Sequence, residues 1–181
     1  MSALPSRGEC LALLREAGCS PEVIEHCLAV EAFAVGIAER CPKDTATVEL
    51  VSRGALLHDI GRGVTHGIGH AVEGSDLIRE KGLDERLALI VERHIGAGLS
   101  PEEAVAQGLP PRSYMPVTLE EKIIAHSDNL VGEREHAAIR MPLAEAVEKA
   151  RARGLDALAE RMTELHYELS QMCGVNLDEI E

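Results

Sequence analysis

His58-Asp59-Ile60-Gly61 follows directly on the apolar run Gly54-Ala55-Leu56-Leu57 and sets an imidazole beside a carboxylate at the end of an apolar segment. Neighbouring side chains of a continuous helix diverge by about 100°, so this pair can converge on one ion only where the backbone breaks. Gly61 and Gly63 are expected to permit that break. Taken alone, the dipeptide would read as a helix C-terminus with a favourable imidazolium and a solvated carboxylate. The other histidines argue for chemistry instead. All eight are His26, His58, His66, His70, His94, His126, His136 and His166, and several lie on segments whose apolar faces should pack against the one ending in His58. Imidazole and carboxylate together suit divalent iron, manganese, nickel, cobalt or zinc, with magnesium also admissible, whereas thiolates would argue for structural zinc.

These residues have to be positioned by helices. Helical periodicity and capping signals recur along the chain, and no alternating run is long enough to define a strand, so an all-α fold is expected. A first helix spans about Ser6 to Ala17, and Ser20-Pro21-Glu22 opens a second to about Cys41 with His26, Val30, Phe33 and Ile37 on its inner stripe. A third starts at Asp44 or Thr45 and ends at His58-Asp59. The four glycines between Ile60 and Gly69 predict an irregular loop, followed by a helix from His70 to about Lys81. Asp84 caps a helix that ends at His94, and Ser100-Pro101-Glu102-Glu103 and Thr118-x-x-Glu121 read as capping boxes, the latter for the helix carrying Asp128. From about Pro142 to Cys173 the pattern is a helical hairpin turning near Gly154.

Composition narrows the function classes. A formal charge of -13 disfavours nucleic-acid binding through a broad phosphate-neutralising surface. Phe33, Tyr114 and Tyr167 are the only aromatics, so a base-stacking platform is also missing. The start of the sequence lacks the features of a signal peptide, and no stretch approaches the roughly 20 apolar residues of a membrane span, so a cytoplasmic protein is expected. Cys10, Cys19, Cys27, Cys41 and Cys173 are scattered and odd in number, and read as buried unpaired thiols in a reducing compartment.

His26, His58-Asp59, His70, His94 and Asp128, in that order and each on or at the end of a predicted helix, resemble the HD-domain metal-dependent phosphohydrolase superfamily. The literal His58-Asp59-Ile60-Gly61 is similar to the HDIG subgroup, as are His70-Ala71-Val72-Glu73-Gly74-Ser75 and Ile90-Val91-Glu92-Arg93-His94-Ile95-Gly96. The resemblance runs from about Pro21 to Val131 and implies a single-domain helical bundle of about seven to nine helices. It implies a metal site from His26, His58, Asp59 and Asp128, with Asp59 able to bridge to a second ion held by His70 and His94. It also implies hydrolysis of a phosphoester or phosphoanhydride in a small nucleotide-like substrate. Two such ions about 3.5 to 4 Å apart can activate a water and stabilise the departing oxygen. No Gly-Tyr-Pro element follows, so the specialised cyclic-dinucleotide phosphodiesterases of that subgroup are not the expectation.

Arg62, three residues past Asp59, is the best placed phosphate-neutralising cation by sequence, with a solvated loop position as the alternative. Lys122 is the second candidate, either projecting with Asp128 toward substrate or pairing with Glu120 or Glu121. His66 and His70 are four apart, so either can be the ligand; the family pattern selects His70 and leaves His66 as a phosphate donor or proton shuttle. Glu73, one turn after His70, either orients a ligand or is an ordinary exposed acid. His126, His136 and His166 read as ordinary histidines. The expected organisation is a metal-binding core over 1–141 with the hairpin 142–181 packed on it. The hairpin's apolar stripe of Leu143, Ala146, Val147, Leu155, Leu158, Met162 and Leu165 can complete that core or meet a second copy in a homodimer. A ligand-sensing or partner-binding module that keeps the metal without turnover is the competing functional class.

Overall fold

The computed structural model describes residues 4–41, 48–134 and 137–180. Its helices are α1 (Arg7–Glu16), α2 (Pro21–Ala38), α3 (Val48–Leu57), α4 (His70–Glu80), α5 (Glu85–Glu92), α6 (Pro101–Ala106), α7 (Leu119–Leu130), α8 (Leu143–Ala152) and α9 (Asp156–Cys173). Short 3₁₀ turns occupy Ile60–Gly63 and Leu177–Glu179. The all-α expectation holds with one addition, a two-stranded antiparallel ribbon of β1 (Val131–Arg134) and β2 (Ala137–Arg140), in which Val131 pairs with Arg140 and Gly132 with Ile139. Strands of four residues are too short to stand out by periodicity. The expected start of the third helix at Asp44 or Thr45 and the position of His136 lie outside the described residues.

Local signals set the helix starts. Ser6 with Glu9 and Ser100 with Glu103 complete capping boxes, and Ser20 and Asp84 cap α2 and α5, each satisfying an otherwise orphaned amide. Thr118 accepts the Glu121 N–H at the start of α7, but the reciprocal half of the expected box is missing. The Glu121 carboxylate accepts instead from the Val117 N–H and pairs with Arg93, which ties α7 to the end of α5.

Packing then brings the site-bearing ends together. α2 buries Cys27, Val30, Phe33, Ala34 and Ile37 and packs against α3, α7 and the ribbon. α3 is almost wholly enclosed through Leu50, Val51, Ala55, Leu56 and Leu57. α5 and α7 add Leu87, Ile90, Val91, Ile123 and Ile124 to the same core, each fully buried side chain contributing about 1.5–3 kcal/mol. The hairpin of α8 and α9, turned by Gly154 at φ 75°, inserts Ala146, Val147, Ala159, Met162, Leu165 and Leu169 into that cluster. No helix of the described residues is long and apolar enough to cross a membrane.

The end of the chain is fastened twice. Cys41, just past α2, is disulfide-bonded to Cys173 at the end of α9, which corrects the reading of every cysteine as unpaired. The partners are 132 residues apart, and nothing in their spacing marks them as neighbours. Cys10, Cys19 and Cys27 are free and buried. Arg140 of β2 lies 4.5 Å over the Phe33 ring and donates to the carbonyls of Leu177 and Ile180, so the last 3₁₀ turn is held against both α2 and the ribbon.

Candidate metal centre

α3 ends at Leu57, and the chain turns at Asp59 (φ -99°, ψ 16°) into the 3₁₀ turn. The glycines act differently from the expectation, because neither Gly61 nor Gly63 adopts a left-handed backbone. They allow close approach. A Cβ on Gly61 would stand 1.9 Å from the carbonyl oxygen of His70, and one on Gly63 would stand 2.0 Å from that of Ala17. Gly61 therefore lets the start of α4 dock on the dipeptide, which carries His70 into the site.

Three of the imidazoles are oriented in one way. The Nδ1–H of His58 donates to Ala55 O at 2.6 Å, that of His70 to Gly67 O at 2.8 Å and that of His94 to Val91 O at 2.6 Å. A carbonyl only accepts, so Nδ1 carries a proton in each, and in the neutral ring Nε2 presents a lone pair to the interior, the arrangement a metal-ligating histidine requires.

Asp59 stands between two groups of these nitrogens. Its Oδ1 lies 3.1 Å from His70 Nε2 and 3.5 Å from His94 Nε2, while Oδ2 lies 3.7 Å from His58 Nε2 and 4.0 Å from His26 Nε2. Asp128 Oδ1 closes the second group at 2.8 Å from His26 Nε2 and 3.4 Å from His58 Nε2. His58 Nε2 and Asp59 Oδ1 are buried with no hydrogen-bond partner. Orphaned buried donors or acceptors are rare unless something else satisfies them, and a divalent cation with nitrogen and oxygen ligands would do so on both sides of Asp59.

The electrostatics agree. Burial opposes ionisation of Asp59, yet the neighbouring His58, His70 and His94 imidazoles hold its carboxyl well below the usual range. Asp128 is depressed against burial by His58 and His26. Burial lowers His58 too, but Asp59, Cys27 and Asp128 outweigh it and raise the imidazole, whereas burial keeps His94 low. Two ionised carboxylates in a nearly closed cage require positive charge. Thiolates do not take part, since burial pushes the adjacent Cys19 thiol up to about 11 and raises that of Cys27 as well.

A cleft of about 280 Å³ opens over the cluster. His26, Asp59 and Arg62 form its floor, Glu22, Val23 and Glu25 of α2 one wall, and Val131, Gly132 and Ala138 of the ribbon the other. Arg62 donates from Nε to Asp59 Oδ2 at 2.8 Å and from Nη1 to the His66 carbonyl at 3.2 Å. The structure thus brings His26, His58, Asp59, His70, His94, Asp128 and Arg62 together, and it leaves out two expected residues. The His66 side chain is exposed outside the cluster, because the docking of α4 on Gly61 selects His70. Lys122 turns to the hairpin and pairs with Glu168 at 2.6 Å, so it joins neither the cluster nor the cleft. Glu73 is exposed. His126 and His166 are buried against each other, with His126 Nε2 3.1 Å from His166 Nδ1. Sequence reasoning missed Glu22 and Glu25, the ribbon wall, and Asn129, whose side chain donates to the Gly96 carbonyl at 2.9 Å and braces the turn after His94.

The HD-domain family model matches residues 23–132, which contain the whole cluster. The chain is 47% identical over 178 residues, 98% of its length, to a protein of Thermoplasma volcanium named tRNA (cytidine(56)-2'-O)-methyltransferase, of which it spans 50%. It is 57% identical over 115 residues to an uncharacterised protein of Methanocaldococcus jannaschii, covering 62% of this chain and 68% of that one. The chain thus spans about half the length of the first of these relatives. Among solved structures it is similar to the HD domain of the L. monocytogenes phosphodiesterase PgpH in complex with cyclic-di-AMP. That likeness has a TM-score of 0.53 at 17% identity, covers 95% of this chain and 99% of the other, and speaks to the fold.

Proposed function

The chain belongs to the HD-domain family, and we propose that it is a metal-dependent phosphohydrolase acting on a phosphoester or phosphoanhydride of a small nucleotide-like substrate. The observation that supports this most is the division of Asp59, with one oxygen toward His26 and His58 and the other toward His70 and His94. His26, His58, Asp59 and Asp128 would hold one cation, and Asp59, His70 and His94 a second. When bound, iron, manganese, nickel, cobalt, zinc or magnesium would supply a water that is nucleophilic at neutral pH and would neutralise charge building on the phosphoryl oxygens. The chain's own residues orient and charge-balance. The carbonyls of Ala55, Gly67 and Val91 fix the tautomers, and Arg62 steadies Asp59 while adding a guanidinium to the cleft floor, where preorganised positive charge favours the more anionic transition state.

Phosphate release should be measured with a panel of nucleotides and simple phosphate esters, with each metal added to chelator-treated protein. Turnover that a chelator abolishes and that Asp59→Asn lacks is expected; silence with every metal would remove the proposal. A second reading is a metal-retaining sensing or partner-binding module. Its support is the relative named as a tRNA methyltransferase, in which the matched region accompanies further sequence. Tight binding of phosphorylated ligands without release would favour it.

A further inference from the structure

The cleft over the metal cluster carries opposite charge at its two ends. Its floor gathers the cation ligands and the Arg62 guanidinium, which is already committed to Asp59 and the His66 carbonyl. Its lip presents Glu22 and Glu25 from the first turns of α2, and among the described residues the ribbon wall opposite adds Val131, Gly132 and Ala138. Glu22 is kept ionised by hydrogen bonds from Ser20 and its own backbone N–H. Glu25 is exposed and, among the described residues, makes no ion pair; Arg15 borders the adjoining hollow with it without reaching it. A volume of about 280 Å³ lies just below the roughly 300–1,000 Å³ of sites for drug-sized ligands. A phosphate seated on the floor therefore leaves room for only a small body within the cleft, whose far end would lie beside Glu22 and Glu25.

We propose that the site selects phosphate esters whose only anionic group is the phosphate on the floor, carried on a small neutral or cationic body rich in hydroxyl or amine donors, with Glu25 as the specificity-determining residue. The inference rests on the phosphohydrolase reading of the same cleft. Discrimination comes from repulsion as much as attraction, because a second anionic group placed against Glu25 and Glu22 meets like charge with no described cation to offset it. A polyanionic chain running out of the cleft meets the same obstacle, in keeping with the net charge of -13.

The two-carbon esters O-phosphoethanolamine, ethyl phosphate and 2-phosphoglycolate present a cationic, an uncharged and an anionic far end in turn. Their dissociation constants should be measured by titration calorimetry on manganese-loaded wild type, Glu25→Gln and Glu25→Lys, with metal content checked in each. The expected affinity order in wild type is phosphoethanolamine, ethyl phosphate, phosphoglycolate, with about tenfold or more between the extremes at low salt and a smaller span at 0.5 M salt. Glu25→Gln should narrow the span and Glu25→Lys reverse it. If ethyl phosphate binds but the three esters bind alike, or the order survives Glu25→Lys, the selectivity proposal is overturned and the hydrolase reading stands. If none of the three binds the loaded protein and no ester releases phosphate, both fall together.

Discussion

Metal binding should be visible first as stability, because the cluster confines two ionised carboxylates and four imidazoles around lone pairs that a cation would satisfy. Thermal unfolding of chelator-treated protein, followed by far-UV circular dichroism during a manganese titration, tests this directly. An ion that binds only the folded state contributes about 2.7 kcal/mol at a hundred times its dissociation constant, so two contribute about 5 kcal/mol. At roughly 2–4 °C per kcal/mol for a chain of this size, Tm should rise by about 10–20 °C. Single substitutions divide that rise. His94→Ala removes a nitrogen facing Asp59 Oδ1 and Asp128→Asn removes the partner of His26, so each should retain about half of the metal-induced shift. Asp59→Asn weakens both positions and should abolish most of it. The metal-induced difference is the quantity to compare, since His94→Ala also opens a void in the core. A wild-type rise below about 2 °C at saturating manganese would refute the reasoning, as would a full rise in Asp59→Asn.

Arg62 and Lys122 should behave oppositely. Arg62→Met removes a charge-assisted hydrogen bond to Asp59 of about 1.5–3 kcal/mol and should lower kcat/KM roughly tenfold to a hundredfold, while Lys122→Met loses a partly exposed pair of about 1 kcal/mol or less and should change it less than about threefold. Replacing Cys41 and Cys173 by serine opens a link between residues 132 apart and should destabilise the fold by about 2–5 kcal/mol in urea unfolding; an unchanged midpoint would mean the bond does not form in solution. Burial, helped by His166 and Arg140, pushes the His126 imidazole down to about 3, whereas the unfolded chain titrates near 6.5. The unfolded state therefore binds more protons between those values, so the contribution is intact above about pH 6.5 and is lost as pH falls toward about 3. His126→Phe should flatten that acid limb in urea midpoints taken at pH 7, 5 and 4, and parallel curves for the two proteins would count against it.

The helical frame was legible because its signals are local. Ser20, Asp84 and Ser100 cap the helices they were expected to cap, and the hairpin turns at Gly154. The six imidazole and carboxylate positions were readable from their order along the chain, through a family resemblance that periodicity alone would not have supplied. What escaped notice depends on contacts between distant residues. The exposure of His66 outside the cluster follows from α4 docking on Gly61, and the commitment of Lys122 follows from α9 passing beside α7. The Cys41–Cys173 bond and the ribbon wall are of the same kind, since strands of four residues and a single cysteine pair carry almost no signal of their own.

Arg140 gives the last turn of the chain a lever on the mouth of the cleft. Its guanidinium rests on Phe33 in the helix that supplies His26 and grips the Leu177 and Ile180 carbonyls, while Ala138, two residues back along the same strand, forms part of the opening. Damage at residues 177–180, by proteolysis or by substitution, would unseat the strand and widen the aperture. Ligand fit would then depend on residues that touch neither metal nor ligand.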